Sequence, residues 1–223
     1  MLELNRISAG YGKQTVLDGI SVDFEKGKLT SIIGVNGCGK STLLKAILGI
    51  LSLSNGEIFI DGENLLTISR NEIAKKIAYL SQGKNIPDMT VEQMVLHGRF
   101  PYLSYPRRYS SHDREVAIKA MEAVGIAEFA HKPLYSLSGG MRQNAYIAMA
   151  LAQDTDYILL DEPTTYLDIA HQLELMRILR KLADSGKGIV AVMHNLPIAF
   201  DFSDKLTVMS NGKLIAYGTP SEI

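Results

Sequence analysis

The chain has 223 residues, 46% hydrophobic and 21% charged, with a formal net charge of -1 at pH 7. That is enough apolar material for one sizeable globular core with a smaller appended subdomain, and it excludes a disordered or fibrous chain. The balanced charge leaves no electrostatic footprint for non-specific nucleic-acid binding.

In chain order, Leu2 to Ile7, Ile20 to Phe24, Leu29 to Ile33 and Glu57 to Ile60 read as short strands, separated by glycine-bearing turns such as Glu25-Lys26-Gly27 and Asp61-Gly62. Ser69 with Glu72, and Thr90 with Gln93, have the spacing of a capping box at a helix start. From about Thr90 to Ala152 the pattern is mostly helical, interrupted by the tyrosine- and proline-bearing stretch Phe100 to Ser111, which predicts a helical subdomain at about residues 88–152 within a single 1–223 domain. Tyr157 to Leu160 and Gly188 to Met193 are apolar runs short enough for strands buried on both faces, with a helix predicted over Ala170 to Ser185 between them. Such alternation implies a parallel sheet. Leu206 to Tyr217 carries Asn211-Gly212 at its centre, a strong hairpin signal.

Gly34, Gly39, Lys40 and Ser41 fit the spacing G-x-x-x-x-G-K-[ST] of a phosphate-binding P-loop. Its required context is present: a strand, Leu29 to Ile33, before it and a helical run, Thr42 to Leu48, after it. Glycines let backbone amides face a polyanion, and a helix start adds unpaired amides and a positive dipole end. Asn36, Gly37, Cys38, Gly39, Lys40, Ser41 and Thr42 are therefore the predicted ATP-binding set, with Lys40 on the β- and γ-phosphates and the Ser41 hydroxyl on Mg²⁺. Cys38 reads as a small loop residue rather than a redox sensor.

Tyr157-Ile158-Leu159-Leu160-Asp161-Glu162 is an apolar strand ending in two acids. Read alone, its alternative is a solvated acidic turn before Pro163. Beside a P-loop it gains a purpose: alternate strand residues point to opposite sides, so Asp161 can face the metal while Glu162 orients or deprotonates an attacking water. Leu137-Ser138-Gly139-Gly140-Met141-Arg142-Gln143 leads into a helical run ending near Gln153. Each glycine there lowers helix propensity by about 1 kcal/mol relative to alanine. Close approach of bare amides and the Ser138 hydroxyl to an anion offsets that, and a second helix start of this kind suggests a site completed by a neighbouring chain. A flexible glycine-bearing cap is the simpler alternative.

Taken together, these motifs resemble the ATPase subunit of an ATP-binding-cassette (ABC) transporter over essentially the whole chain. The likeness adds Gln82 after Ala78-Tyr79-Leu80-Ser81, Tyr166-Leu167-Asp168, and His194. It implies an α/β fold: a P-loop NTPase, RecA-like core with a mostly parallel sheet, an N-terminal antiparallel β subdomain and an α-helical signature subdomain. It implies that Tyr11 stacks on adenine, that Gln82 links Mg²⁺ and water to the transport domain, and that His194 contacts the γ-phosphate. Glu162, His194, Gln82 and Lys40 are then the catalytic set and Ser41, Gln82 and Asp161 the metal set. Ser138, Gly139 and Gly140 would then face the nucleotide of an opposite subunit, and Asp168, grouped with them in the nucleotide-binding set, looks like the dimer-interface aspartate that joins the two sites. His97, His112, His131 and His171 lack such company and read as surface or packing residues, as Met141, Met149, Met176 and Met193 read as packing.

Within that family, Gly98-Arg99-Phe100-Pro101-Tyr102-Leu103 and the stretch Thr164 to Glu174 look most like importers of iron-siderophore, haem or cobalamin, with zinc, manganese or molybdate importers as the alternative. The implied partners are a second ATPase subunit, two transmembrane permease subunits and, through them, a substrate-binding protein, with no nucleic acid. The loop Phe100 to Ser111, where Tyr102, Tyr105 and Tyr109 alternate with Arg107 and Arg108, is expected near the permease contact. A soluble nucleic-acid or ribosome-associated cassette is disfavoured, because that class usually has two cassettes or a long inserted arm. A non-hydrolysing regulator is disfavoured by Glu162 and His194.

Three positions depart from the family pattern: Met141 replaces the usual glutamine, Asn144 stands where a basic residue is common, and Asn195 where aspartate is frequent. The single cysteine, Cys38, excludes an intrachain disulfide and points to a reducing compartment. Residues 1–6 do not resemble a secretory signal. The apolar run Ala145 to Ala152 is too short to span a bilayer. The expected location is the cytoplasmic side of the cell (inner) membrane, as a peripheral subunit. Relatives usually continue through a further helix beyond Thr219 to Ile223, so a trimmed chain is expected.

Overall fold

The computed structural model describes residues 1–82, 86–165 and 167–223. The chain opens with strands β1 (Leu2–Tyr11), β2 (Gln14–Phe24) and β3 (Leu29–Gly34), then helix α1 (Lys40–Ile47), β4 (Leu53–Ile60), β5 (Glu63–Asn64), α2 (Arg70–Lys76) and β6 (Ile77–Leu80). A helical stretch follows, α3 (Val91–Leu96), α4 (Ser111–Ala123) and α5 (Gly139–Ala152). The chain then alternates through β7 (Tyr157–Asp161), α6 (Ile169–Asp184), β8 (Gly188–Val192) and α7 (Leu196–Phe202), and closes with β9 (Lys205–Ser210) and β10 (Lys213–Gly218).

Two sheets result. One is four-stranded and antiparallel, in the order β2-β1-β4-β5; the other is six-stranded, β10-β9-β3-β8-β7-β6. In the larger sheet β9, β3, β8, β7 and β6 run parallel, and only β10 is antiparallel, joined to β9 through the Asn211-Gly212 turn, where both residues have positive φ. Strands β7 and β8 are buried along their whole length. Their side chains alternate between two cores: Ile158, Leu160, Ile189 and Ala191 join the helical side, while Leu159, Val190 and Val192 join the side formed by α1 and the antiparallel sheet. A strand with a core on each face needs a continuous apolar run, which is what these segments carry.

Three strands clearly exceed their predicted spans, β4 by starting at Leu53 rather than Glu57. β1 continues from Ile7 to Tyr11 and β2 begins at Gln14 rather than Ile20. Register shifts and the positive φ of Arg6 and Gly19 interrupt the pairing, so the hydrophobic alternation used to find strands is lost there while backbone pairing continues. The two-residue β5 and the four-residue β6 add unpredicted strands.

Both predicted capping boxes form, at Ser69–Glu72 and Thr90–Gln93, and a third forms at Ser110–Asp113. The helices α3, α4 and α5 pack on one another. They are tied together by the turn at 97–102. Buried Arg99 donates to Asp113 at 2.9 Å and to the Ala152 carbonyl at 3.0 Å, and its guanidinium lies 4.0 Å from the Tyr102 ring centroid. Tyr102 donates to the Gln153 carbonyl at 2.9 Å, so two side chains satisfy the C-terminal end of α5. Gly98 must be glycine at this junction, since a Cβ would stand 2.2 Å from the Met149 carbonyl oxygen. Among the described residues no helix is long and apolar enough to cross a membrane.

Candidate nucleotide site

The loop between β3 and α1 is built on glycine. Gly34, Gly37 and Gly39 all have positive φ, and a Cβ at Gly34 would lie 2.2 Å from the Met209 carbonyl oxygen on β9. Gly39 is the N-cap of α1, leaving the first-turn amides of Lys40, Ser41 and Thr42 without helical partners. Lys40 is buried and donates to the carbonyls of Gly34 at 2.7 Å and Val35 at 3.1 Å, which holds its charge inside the curve of the loop. Cys38 differs from its neighbours: its side chain is buried against the core and its amide donates to the Val35 carbonyl at 3.3 Å. It shapes the loop from beneath.

A cleft of about 350 Å³ runs over this loop, lined by Asn36, Gly37, Gly39, Lys40, Ser41, Thr42, Gln82, Glu162 and His194. Four separated segments of sequence therefore meet in one cavity, because β3, β7 and β8 are adjacent strands whose ends lie side by side and β6 flanks β7.

Asp161 adjoins this cleft through Ser41, whose Oγ donates to Asp161 Oδ1 at 2.8 Å, and the Tyr79 hydroxyl donates to Asp161 Oδ2 at 3.3 Å. Burial pushes the Asp161 carboxyl above its ordinary range, against the lowering effect of those two bonds, and the Glu162 charge adds to the rise. Burial and the Asp161 charge push the Tyr79 phenol up as well. A buried carboxylate with one hydroxyl partner on the P-loop suits a hard cation. Among the described residues no three His, Cys, Asp or Glu side chains converge as metal ligands. What the chain places side by side at the foot of the P-loop is two oxygen groups, the Ser41 hydroxyl and the Asp161 carboxylate.

Glu162 diverges from Asp161 for a different reason than pleat alternation. β7 ends at Asp161, and Glu162 has a left-handed φ of 53°. That turn carries its carboxylate to Gln82 and His194. Oε1 lies 2.5 Å from His194 Nε2, and Oε2 accepts from Gln82 Nε2 and, at 3.1 Å, from Thr165 Oγ1. A carboxylate fixed by three polar groups at the mouth of an anion cleft can orient and deprotonate a water.

Ser138, Gly140, Asp168 and Tyr11 do not line this cleft. Tyr11 ends β1 and is half exposed. Ser138 caps α5, accepting from the Met141 amide at 3.3 Å, and Gly139 lines a neighbouring cleft of about 300 Å³ with Arg142, Gln82 and Glu162. Gly139 has open space where a side chain would stand, as an approach by another molecule requires, whereas Gly140 packs under His171 of the same chain. The two glycines therefore differ: Gly139 is open, and for Gly140 the tight neighbour is a histidine ring. Asp168 caps α6 and accepts from the His171 amide at 2.9 Å. Tyr166 lies outside the described residues.

Sequence reasoning missed several participants. Tyr79 and Thr165 stand three residues from Gln82 and Glu162 respectively, a spacing that is informative only once both motifs are placed. Gln172 donates to the carbonyls of Leu167 at 3.0 Å and Thr164 at 3.4 Å and accepts from Asn195 at 3.2 Å, connecting the turn after Glu162 to the residue after His194. Asn195, noted as a departure, also caps α7.

Known proteins are similar to this chain in sequence and fold. The family described as "ABC transporter" matches residues 17–165. The chain is 41% identical to the petrobactin import ATP-binding protein FpuD of Bacillus anthracis, over 100% of this chain and 82% of that protein. It is 41% identical to the ferric enterobactin transport ATP-binding protein FepC of Escherichia coli K12, over 98% of this chain and 81% of that protein. Among solved structures, the ADP conformation of MJ1267, an ATP-binding cassette of an ABC transporter, superposes with a TM-score of 0.90 at 27% identity, covering 100% of this chain and 92% of that one. The dimeric structure of MJ0796, a bacterial ABC transporter cassette, gives 0.84 at 27% identity, covering 99% of each chain. With its P-loop, acidic strand end and signature helix in one cassette architecture, the chain belongs to the ABC transporter family, as one of its ATP-hydrolysing subunits.

Proposed function

We propose that the chain powers an importer of iron-siderophore, haem or a related chelate such as cobalamin, working as a dimer beneath two permease subunits fed by a substrate-binding protein. The observation that carries the catalytic part is the meeting of the P-loop with Glu162, Gln82 and His194 in one cleft. The cargo class rests on relatives named for petrobactin import and ferric enterobactin transport at about 40% identity over nearly the whole chain. Zinc, manganese or molybdate uptake is the alternative within the same architecture. The working location is peripheral, on the cytoplasmic side of the cell membrane.

In this reading the phosphates lie over the first turn of α1, with Lys40 on the β- and γ-phosphates and Tyr11 against the adenine. Ser41 and Asp161, with Gln82 nearby, would hold Mg²⁺, which when bound offsets phosphate charge. Glu162 takes a proton from the attacking water, whose position is shared with Gln82, and His194 contacts the γ-phosphate. Lys40 stabilises charge on the departing ADP. Ser138 and Gly139 meet the nucleotide of the second copy and Asp168 joins the two sites at the dimer interface, so each site is completed in trans.

Two measurements test this. Ser138→Arg should suppress phosphate release while the isolated chain keeps its ATP affinity; loss of that affinity would refute completion in trans. In the source cell, deleting the gene should abolish uptake of radiolabelled ferric siderophore, restored by the wild-type chain but not by Lys40→Ala. Unimpaired siderophore uptake with impaired zinc, manganese or molybdate uptake would move the cargo assignment to the alternative.

A further inference from the structure

The space above Gly140 is occupied by a side chain of the same protein. A Cβ at residue 140 would stand 2.2 Å from His171 Cδ2 and 2.8 Å from its Nε2, whereas one at Gly139 would meet nothing within 4 Å. Relieving such a clash would turn the ring out of its present place and away from its contact with Asp168. The Cδ2–Nε2 edge of His171 therefore packs directly on the first turn of α5. The other edge is held too: Nδ1 lies 2.8 Å from Asp168 Oδ1, the same oxygen that accepts the His171 backbone amide.

Capping α6 requires only the bond between the Asp168 carboxylate and that amide. It does not require the ring, still less the ring's approach to α5. The two helices otherwise belong to different packing units: α5 lies chiefly on α3 and α4, and α6 on β8, β3 and α7. His171 thus bridges the starts of two helices through groups of fixed shape, one contact being steric and the other a hydrogen bond.

We propose that His171 is a positioning residue for the composite nucleotide site, a rigid spacer that sets the start of α5 against Asp168 so that both meet the second subunit in register. The inference rests on the reading that Ser138, Gly139 and Asp168 act in trans. On that basis the ring touches no substrate itself; it fixes the separation of two segments that meet the second subunit. An exposed cap would tolerate any replacement, but a spacer requires both its ring edge and its hydrogen-bonding nitrogen.

The test uses the full chain carrying Glu162→Gln, in which ATP should hold the dimer closed. Dimerisation is read by sedimentation at increasing ATP, and the ATP affinity of the dilute monomer by fluorescent-nucleotide displacement. His171→Ala should weaken the ATP-dependent dimer at least about fivefold, within the range seen for directly coupled residues, with monomer affinity unchanged. His171→Asn, which can keep the bond to Asp168 without the ring, should recover only part of the loss. Gly140→Ala should harm dimerisation strongly beside His171 and much less in the His171→Ala chain, because the clash is gone. Wild-type dimerisation of His171→Ala while Ser138→Arg blocks it would overturn this inference alone. Intact dimers in both variants would overturn the composite site as well. Parallel loss of monomer ATP affinity, or equal effects of Gly140→Ala in both backgrounds, would reduce His171 to ordinary packing and overturn the proposal.

Discussion

Ser41 and Asp161, separated by 120 positions in the chain, are joined by a 2.8 Å hydrogen bond from the serine hydroxyl to the carboxylate. This contact sets the first turn of α1 against the end of β7. It also keeps a buried carboxylate where burial opposes its ionisation. Asp161→Asn removes that unfavourable charge, so the unliganded chain should unfold at an equal or higher temperature. The same change should remove most of the stabilisation that MgATP provides, about 2.7 kcal/mol at a hundredfold excess over Kd. Thermal unfolding with ATP, in Mg²⁺ and in EDTA, separates the two effects. A wild-type MgATP shift in the variant would contradict a metal role for Asp161.

Glu162 is held by Gln82, Thr165 and His194. Glu162→Gln preserves the shape and most of these bonds but cannot accept a proton. Phosphate release should fall by a factor of about 10² to 10⁴, with ATP binding retained. Turnover near the wild-type rate would transfer the base role elsewhere.

The buried pair Arg99 and Asp113 predicts an acid-sensitive contribution to stability. Burial raises the carboxyl, but Ser110 and the Arg99 guanidinium outweigh it and hold Asp113 down to about 2. A depressed carboxylate contributes fully above its ordinary value of 3.8 and loses that contribution as the pH falls towards about 2. The difference in unfolding temperature between the wild type and Asp113→Asn should therefore be constant at neutral pH and shrink across that acid window. Arg99→Ala, which leaves the buried carboxylate without its partner, should cost about 3 kcal/mol in urea unfolding.

Gln153 fastens the end of α5 to the segment leading into Gln82. Its Nε2 donates to the Ala74 carbonyl and, at 3.1 Å, to that of Ile77. Gln153→Leu leaves both carbonyls without this donor and should destabilise the chain by about 1–3 kcal/mol. Amide hydrogen exchange in β6 and α2 should accelerate more than in β8. Uniform acceleration across the sheet would mean that the link is not local.

Much of the architecture is readable because local chemistry and tertiary context agree. The doubly buried β7 and β8 announce themselves as apolar runs, and Asn211-Gly212 supplies the two positive φ values its turn needs. Where they disagree, reading fails. The irregular halves of β1 and β2 pair through backbone atoms that leave no periodic trace, and the contacts of Tyr79 with Asp161 and of Gln172 with Asn195 span separations that no local pattern expresses.

The amino-acid sequence by itself determines the P-loop, the acidic strand end and the signature helix start, since each depends on residues within one short segment: glycines for conformation, a lysine for charge, a serine for a cap. Tertiary structure decides what those segments become together. Strand order brings Lys40, Gln82, Glu162 and His194 to one cleft. The left-handed turn at Glu162 aims its carboxylate, and a ring from α6 fills the place of a side chain at Gly140. Contacts of this last kind depend on the relative placement of elements far apart in the chain, and no local preference encodes a separation between two helices.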